Sequence, residues 1–161
     1  MPINISPSDS LEKIRVEIFE TPKDGSHYVA ELISVLIREK NTLGKKAVIG
    51  LATGSTPKSL YAELVQMHRE EGLSFKNVIT FNLDQYYPME SDALNSYHYF
   101  MRKYLFEQTD IDPENYFLPN GLVPKEHVKE HCAVSEKKIE DAGGIDFTIL
   151  GIGNTGNYGF N

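Results

Sequence analysis

Three loops of this chain carry residue types that can do chemistry. The first is Ala52-Thr-Gly-Ser-Thr56, set between the apolar run Lys46–Leu51 and Pro57. Small residues between a strand and a helix leave backbone N–H groups facing outward, and the helix dipole adds positive potential, so the place suits an anion such as phosphate. Thr53, Ser55 and Thr56 add hydroxyl donors, and Gly54 lets a ligand approach the backbone. An ordinary strand–helix turn uses the same residues. The stretch is not a P-loop, since no Gly-Lys-Ser/Thr follows, and it lacks the spacing of a dinucleotide turn. The second loop is Asp84-Gln-Tyr-Tyr87, at the end of the apolar run Asn77–Leu83. A carboxylate there, shielded by Tyr86 and Tyr87, is expected to have a raised pKa and to suit a base. It equally suits the capping of the next turn. The third loop is the glycine-rich Gly151–Asn161, which follows the apolar run Ile145–Leu150.

The remaining polar candidates read more simply. His98 falls on an amphipathic helix, where packing or surface exposure accounts for it. His127 and His131 lie four apart on a helix facing solvent; that spacing can hold a metal, but nothing else in the sequence supports a site, and no metal is expected. Cys132 is the only cysteine, so no internal disulfide or zinc cluster is available, and it is expected to be a buried small residue.

The elements that must position these loops follow from hydrophobic spacing. Residues 1–12 are polar and expected to be loosely attached. Ile14, Val16 and Ile18 alternate, which predicts a strand over Lys13–Phe19, followed by a turn at Thr21–Gly25. Ser26–Lys40 predicts a helix with Val29, Leu32, Ile33, Leu36 and Ile37 on one face. Lys46–Leu51 predicts a strand. Pro57 opens a helix over Lys58–Glu71 that buries Leu60, Tyr61, Leu64 and Met67 and ends at Gly72. Asn77–Leu83 is a second strong strand, Ser96–Phe106 a helix, Asn115–Leu118 a short strand, Pro124–Asp141 a long helix stopped by Gly143-Gly144, and Ile145–Leu150 a fourth strand. Strands alternating with helices predict an α/β fold in three layers with a mostly parallel sheet. Right-handed crossovers would bring all strand C-termini to one edge, where such sheets bind ligands. The three loops would then meet.

With 161 residues, the chain is long enough for one α/β domain over 1–161 with its own core. A net charge of −7 gives no basic stripe for nucleic acid but leaves room for a small phosphorylated ligand. No apolar run approaches the roughly 20 residues of a membrane span, and residues 1–9 lack the regions of a signal peptide. A cytoplasmic location is expected. The last strand runs into a glycine-rich loop with no helix after it, which predicts a chain incomplete at its C-terminus.

Four long stretches in order resemble the motifs of glucosamine-6-phosphate deaminases: Gly50-Leu-Ala-Thr-Gly-Ser-Thr-Pro57, Phe75 to Tyr87 with its Asn-Leu-Asp-Gln-Tyr, Ser96-Tyr-His-Tyr-Phe-Met101, and Leu150-Gly-Ile-Gly-Asn-Thr-Gly-Asn-Tyr-Gly-Phe-Asn161. The resemblance runs from about Phe19 to the end. It implies a modified Rossmann-like fold of the deaminase, ribose-phosphate isomerase and CoA-transferase kind. It also implies conversion of glucosamine 6-phosphate to fructose 6-phosphate and ammonia in amino-sugar metabolism, with no metal or organic cofactor and usually in a homo-oligomer. The family chain continues well past this point and there supplies more acidic residues, basic phosphate ligands and a lid. Asp84 matches the family's C2 base. Thr53, Gly54, Ser55 and Thr56 match the phosphate turn, and Tyr86 and Tyr97 complete the substrate-binding candidates.

Two departures from the family pattern bear on activity. Where the family usually has Asp-Gly-His, this chain has Thr155-Gly156-Asn157. The family's histidine opens the sugar ring by moving a proton, and Asn cannot titrate near neutral pH. Where the family usually has Asp-Glu-Tyr, this chain has Asp84-Gln85-Tyr86, which removes a charge beside the base. Binding should survive these changes better than turnover. A non-catalytic sugar-phosphate sensor on the same fold is therefore the second reading. Another sugar-phosphate enzyme, such as a 6-phosphogluconolactonase, is the third.

Overall fold

A computed structural model of the protein describes residues 15–158. The loosely attached segment expected over 1–12, the start of the strand expected from Lys13, and the last three residues lie outside them. The chain runs α1 (Pro22–Thr42), β1 (Ala47–Leu51), α2 (Pro57–Glu71), β2 (Val78–Asn82), α3 (Tyr97–Tyr104), β3 (Tyr116–Phe117), α4 (Val128–Asp141) and β4 (Phe147–Thr148). The sheet order is β3-β2-β1-β4, and all three pairings are parallel. Every residue of β1 and β2 is buried, as expected of central strands covered on both faces.

The main core lies between the sheet and α1, α2 and α3. Ala30, Ile33 and Ile37 of α1 pack there with Leu60, Tyr61, Leu64 and Met67 of α2 and with Met101 of α3. On the other face, Val48, Ile79 and Phe81 meet Phe117, Ile139, Ala142 and Ile145. These are the expected three layers. The second face is thinner, for α4 has no fully buried residue.

Several expectations are corrected. Among the described residues, 15–19 form no strand. The stretch Thr21–Gly25 is a helix start and not a turn. The Thr21 side chain accepts from the Asp24 N–H, and the Asp24 carboxylate accepts from the Thr21 N–H at 3.2 Å, a reciprocal capping box that begins α1 at Pro22. Leu32 is exposed, and Ala30 holds the buried position on that face. Residues Lys125–His127 form a separate 3-10 turn ahead of α4. Cys132 is exposed and lines a hollow at the start of α4, ahead of Ile139 and Ala142, where that helix packs on the sheet. Gly72, at φ +68°, ends α2 in the left-handed conformation, which glycine adopts most easily.

β4 is held against β1 by Asp146. One carboxylate oxygen accepts from the Val48 N–H at 2.9 Å, and the other takes the Lys40 ammonium at 2.6 Å. Gly50 lets the strands close, since a Cβ there would stand 2.9 Å from the Thr148 methyl. Asp110 does similar work below β2, accepting from the Phe75 N–H at 2.6 Å and from the Ser74 hydroxyl at 2.8 Å.

Burial opposes the charge on Asp110 and Asp146. The hydrogen bonds, with His68 near Asp110 and Lys40 on Asp146, outweigh it and hold both carboxyls below their ordinary range. A lowered folded pKa contributes stability that is fully present above the unfolded value, about 3.9, and is lost as pH falls through the folded one. The urea midpoint should therefore hold steady above about pH 5 and fall below about pH 4. Asp110→Asn should flatten part of that fall; an unchanged acid limb in this variant would assign the loss to other groups.

Candidate functional site

The strand order reverses between β1 and β4, since the chain steps from β1 to β2 to β3 on one side and returns to β4 on the other. A crevice opens outside the C-terminal ends of strands at such a point. A cavity of about 930 Å³ lies there. It is lined by the turn after β1, by Leu83 and Asp84 after β2, by Tyr97 at the start of α3, and by Ile149–Gly153 and Asn157 after β4.

The turn after β1 is fixed from below. The buried Tyr61 hydroxyl donates to the Ala52 carbonyl, and burial pushes its phenol well up. Thr53, Ser55 and Thr56 all line the cavity. Gly54 sits among them at φ +117°, where a side chain is strained. Thr56 is the N-cap of α2, yet no side chain caps that helix. This contrasts with α1, whose first N–H groups are taken by its own capping box. The N-terminus of α2 is thus the one of the two that offers its donors to a ligand. At its first turn, the Ser59 hydroxyl meets that of Ser26 on α1 at 2.6 Å. Both serines line the cavity, together with Phe19, Pro22 and Gly25.

Asp84 and Tyr97 are the titratable residues in the described lining. The half-buried Asp84 carboxyl is raised from its ordinary value by burial, as expected of a base at a strand end. The Tyr97 phenol is pushed up to about 12, first by burial, then by the Tyr86 hydroxyl and the negative field of Asp84, with Thr53 pulling the other way. A phenol that stays protonated next to a carboxylate can donate to a ligand oxygen without competing as a base.

The expected shield of two tyrosines is corrected. Tyr86 and Tyr87 are exposed and line a second, smaller hollow. Tyr86 reaches the site only through Tyr97, by its ring at 4.7 Å and by its hydroxyl. The apolar wall beside Asp84 comes from Leu83 and from Leu150 and Ile152.

In the third loop, residues 153–157 close a tight turn. The Gly153 N–H donates to the Asn157 carbonyl at 2.8 Å and the Gly156 N–H to the Gly153 carbonyl at 2.9 Å. Asn157 lines the cavity, whereas Thr155 is exposed outside it. The Thr155 hydroxyl donates to Asn157 Oδ1 at 2.8 Å, so it orients the amide and touches no ligand space itself.

His98 is half-buried and bonds the Pro119 carbonyl at 3.2 Å, which agrees with a packing role. His131 accepts from the Asn120 N–H at 3.2 Å. The sequence reading missed the α1 contribution to the cavity. The Thr-x-x-Asp pattern before an apolar run was the available signal for it, because a helix starting at Pro22 brings Gly25 and Ser26 to the sheet edge.

The family model for glucosamine-6-phosphate isomerases/6-phosphogluconolactonase matches residues 20–157. A glucosamine-6-phosphate deaminase-like protein of Bacteroides thetaiotaomicron is 45% identical over 151 residues, which cover 94% of this chain and 23% of that one. The glucosamine-6-phosphate deaminase of Thermoanaerobacter pseudethanolicus is 43% identical over 148 residues, 92% of this chain and 56% of that one. A solved structure described as a monomeric glucosamine-6-phosphate deaminase of the NagB superfamily superimposes with a TM-score of 0.81 at 37% identity, covering 88% of this chain and 56% of that one. The chain spans between about a quarter and somewhat over half the length of these relatives. With all but the ends of the described residues matched, the chain belongs to the family of glucosamine-6-phosphate isomerases and 6-phosphogluconolactonases.

Proposed function

We propose that the protein binds glucosamine 6-phosphate in the cavity at the β1/β4 switch and converts it to fructose 6-phosphate and ammonia. The observation that carries this reading is the juxtaposition of an uncapped helix N-terminus with a half-buried carboxylate of raised pKa in one cavity, where a phenol is the other titratable group among the described residues. The α2 N-terminus with Thr53, Ser55 and Thr56 takes the phosphate. Held there, the sugar presents C1 and C2 to Asp84 by geometry and not by chance encounter.

Asp84 takes the C2 proton once the ring is open. The electron pair of the broken C–H bond forms the C1–C2 double bond while the C1 carbonyl pair moves onto O1, which takes a proton; protonation at C1, pushed by the amine lone pair, then leaves an iminium at C2. Water then adds at C2, and ammonia leaves. Tyr97 donates to a sugar oxygen beside the base. Asn157 orients the anomeric end by hydrogen bonding. The similar solved deaminase is described as monomeric, so the reaction is written for a single chain. Among the described residues, no helix is long and apolar enough to cross a membrane, and a cytoplasmic setting is part of the proposal.

The test is to assay ammonia and ketose phosphate from glucosamine 6-phosphate beside hydrolysis of 6-phosphogluconolactone. Ammonia release supports the proposal, and lactone hydrolysis alone contradicts it. Saturable binding of glucosamine 6-phosphate with no product favours a sensor; the substitution of Asn157 at the ring-opening position keeps that reading open to the same assay.

Gly54→Val tests the phosphate turn. At φ +117°, no neighbour lies within 4 Å of an added Cβ, so the penalty is conformational, about 1–3 kcal/mol. Relief of that strain moves the turn. Affinity for glucosamine 6-phosphate, by calorimetry, should fall about tenfold or more, the equivalent of about 1.4 kcal/mol. Unchanged affinity would place the phosphate elsewhere.

A further inference from the structure

Asp84 and Tyr97 come from opposite ends of an irregular connection, yet they share one cavity. The side chain that ties those ends together is Gln85. Its Oε1 accepts from the Tyr86 N–H at 2.9 Å and from the Tyr97 N–H at 3.2 Å. Tyr97 is the first residue of α3, so Gln85 adds a second acceptor to a helix start where Ser96 already accepts from the Tyr99 N–H at 3.0 Å. The rest of the connection is braced as well. The Ser96 hydroxyl donates to the Ser91 carbonyl at 2.6 Å, and the Met89 N–H to the Gly121 carbonyl at 2.9 Å.

The amide orientation of Gln85 follows from chemistry. Two backbone donors point at one end of it, so that end is the oxygen. The Nε2 group at the other end is buried and has no partner. A donor left unmet is tolerated only where the other end is needed. Gln85 lines the second hollow and not the main cavity, so its hold on the reacting groups runs through the backbone it bonds.

We infer that Gln85 is a positioning residue that locks Asp84 against Tyr97, and that its neutral amide keeps a second negative charge away from the base. The inference rests on Asp84 being the base. A glutamate here would accept the same two N–H groups and gain from the positive end of α3. It would also place a like charge beside Asp84 and disfavour that carboxylate. The other titratable group in the described lining is the Tyr97 phenol, pushed up to about 12 and so neutral near pH 7. The turn after β1, the first turn of α1 and the loop after β4 bring no charged residue into the described lining. A charge at position 85 therefore meets little competition.

The test compares the full chain with Gln85→Ala and Gln85→Glu. Gln85→Ala removes the clamp, and kcat should fall roughly 10-fold to 100-fold with KM little changed, as expected of a displaced base. Gln85→Glu should restore most of kcat. It should also move the acid limb of kcat/KM upward by on the order of half a pH unit, as a like charge on the adjacent residue does. The same shift should appear in a carbon-13 titration of the Asp84 carboxyl without substrate. That reading survives even if glucosamine 6-phosphate is not turned over, so failure of the proposed reaction and failure of the clamp are told apart. An unchanged kcat in Gln85→Ala, a loss confined to KM, or an Asp84 titration that does not move in Gln85→Glu would overturn the inference.

Discussion

Asp84→Asn is expected to abolish most turnover of glucosamine 6-phosphate, by about 10²–10⁴-fold, the range typical of a lost general base. The amide keeps the size and hydrogen bonding of the carboxylate but cannot take the C2 proton. Ligand affinity should change little, because the phosphate is held at the other side of the cavity by the turn after β1. The variant has a second expected signature. Burial raises the folded pKa of Asp84. For a carboxyl group raised on folding, the charged form is the disfavoured one, so its stability cost is absent below the unfolded pKa and fully present above the folded pKa. Asp84→Asn removes that cost at neutral pH. Its melting temperature should equal or exceed that of the parent while its activity collapses. A loss of activity accompanied by a lower melting temperature would point to a structural role for Asp84. In the parent, the acid limb of kcat/KM should lie above the ordinary carboxylate range, for only the ionised form accepts the proton.

Asn157→His is expected to raise turnover. A closed sugar ring must lose a proton from its anomeric hydroxyl and gain one at the ring oxygen before C2 can react. An imidazole with a pKa near 6.5 does both at neutral pH, while the Asn157 amide can only hydrogen-bond. With Asn157, unassisted ring opening should slow turnover, as one slow step beside the proton transfer at C2. The histidine has a place to stand. Residue 157 already lines the cavity, and its loop is closed by backbone bonds that do not involve the side chain. The Thr155 hydroxyl, which now donates to Asn157 Oδ1, can accept from an imidazole N–H instead. General acid–base help is worth about 10²–10⁴-fold where it is fully aligned, so a gain of about tenfold or more is the expected outcome. Rates and binding should be measured together. Fast turnover with Asn157, unimproved by histidine, would show that ring opening does not limit this protein.

Much of this site is written in local patterns. The unbroken apolar runs of β1 and β2, with helical spacing between them, fix two parallel buried strands and the turn that joins β1 to α2. Pro57 and the small residues before it mark the helix start. Asp84 is found because it is the first carboxylate past a buried strand. What local patterns do not carry is the company each loop keeps. Tyr86 and Tyr87 follow Asp84 in sequence, yet the bonds of Gln85 turn the chain so that both face outward. The apolar lining of the cavity beside Asp84 includes Leu83 and, from more than sixty positions later, Leu150 and Ile152. Thr155, expected in the site, is exposed outside the cavity and meets it only through its bond to Asn157 Oδ1. The alternation of Ile14, Val16 and Ile18 has the period of a strand, but a strand needs a neighbour, and the sheet edges beside β3 and β4 receive none from residues 15–19. Cys132 shows the limit of composition: a lone cysteine is often buried, and this one lies exposed near the start of a helix that buries little.

Proton exchange at C2 tests the central claim most directly. Glucosamine 6-phosphate is incubated with the full chain in deuterium oxide, and the C2 hydrogen is followed by proton NMR. The account predicts loss of the C2 proton signal with deuterium entering the recovered sugar or its ketose product. It predicts no exchange with glucosamine, which lacks the phosphate, and none with Asp84→Asn. Exchange that persists in Asp84→Asn, or a protein that hydrolyses 6-phosphogluconolactone without exchanging any carbon-bound hydrogen, would contradict it.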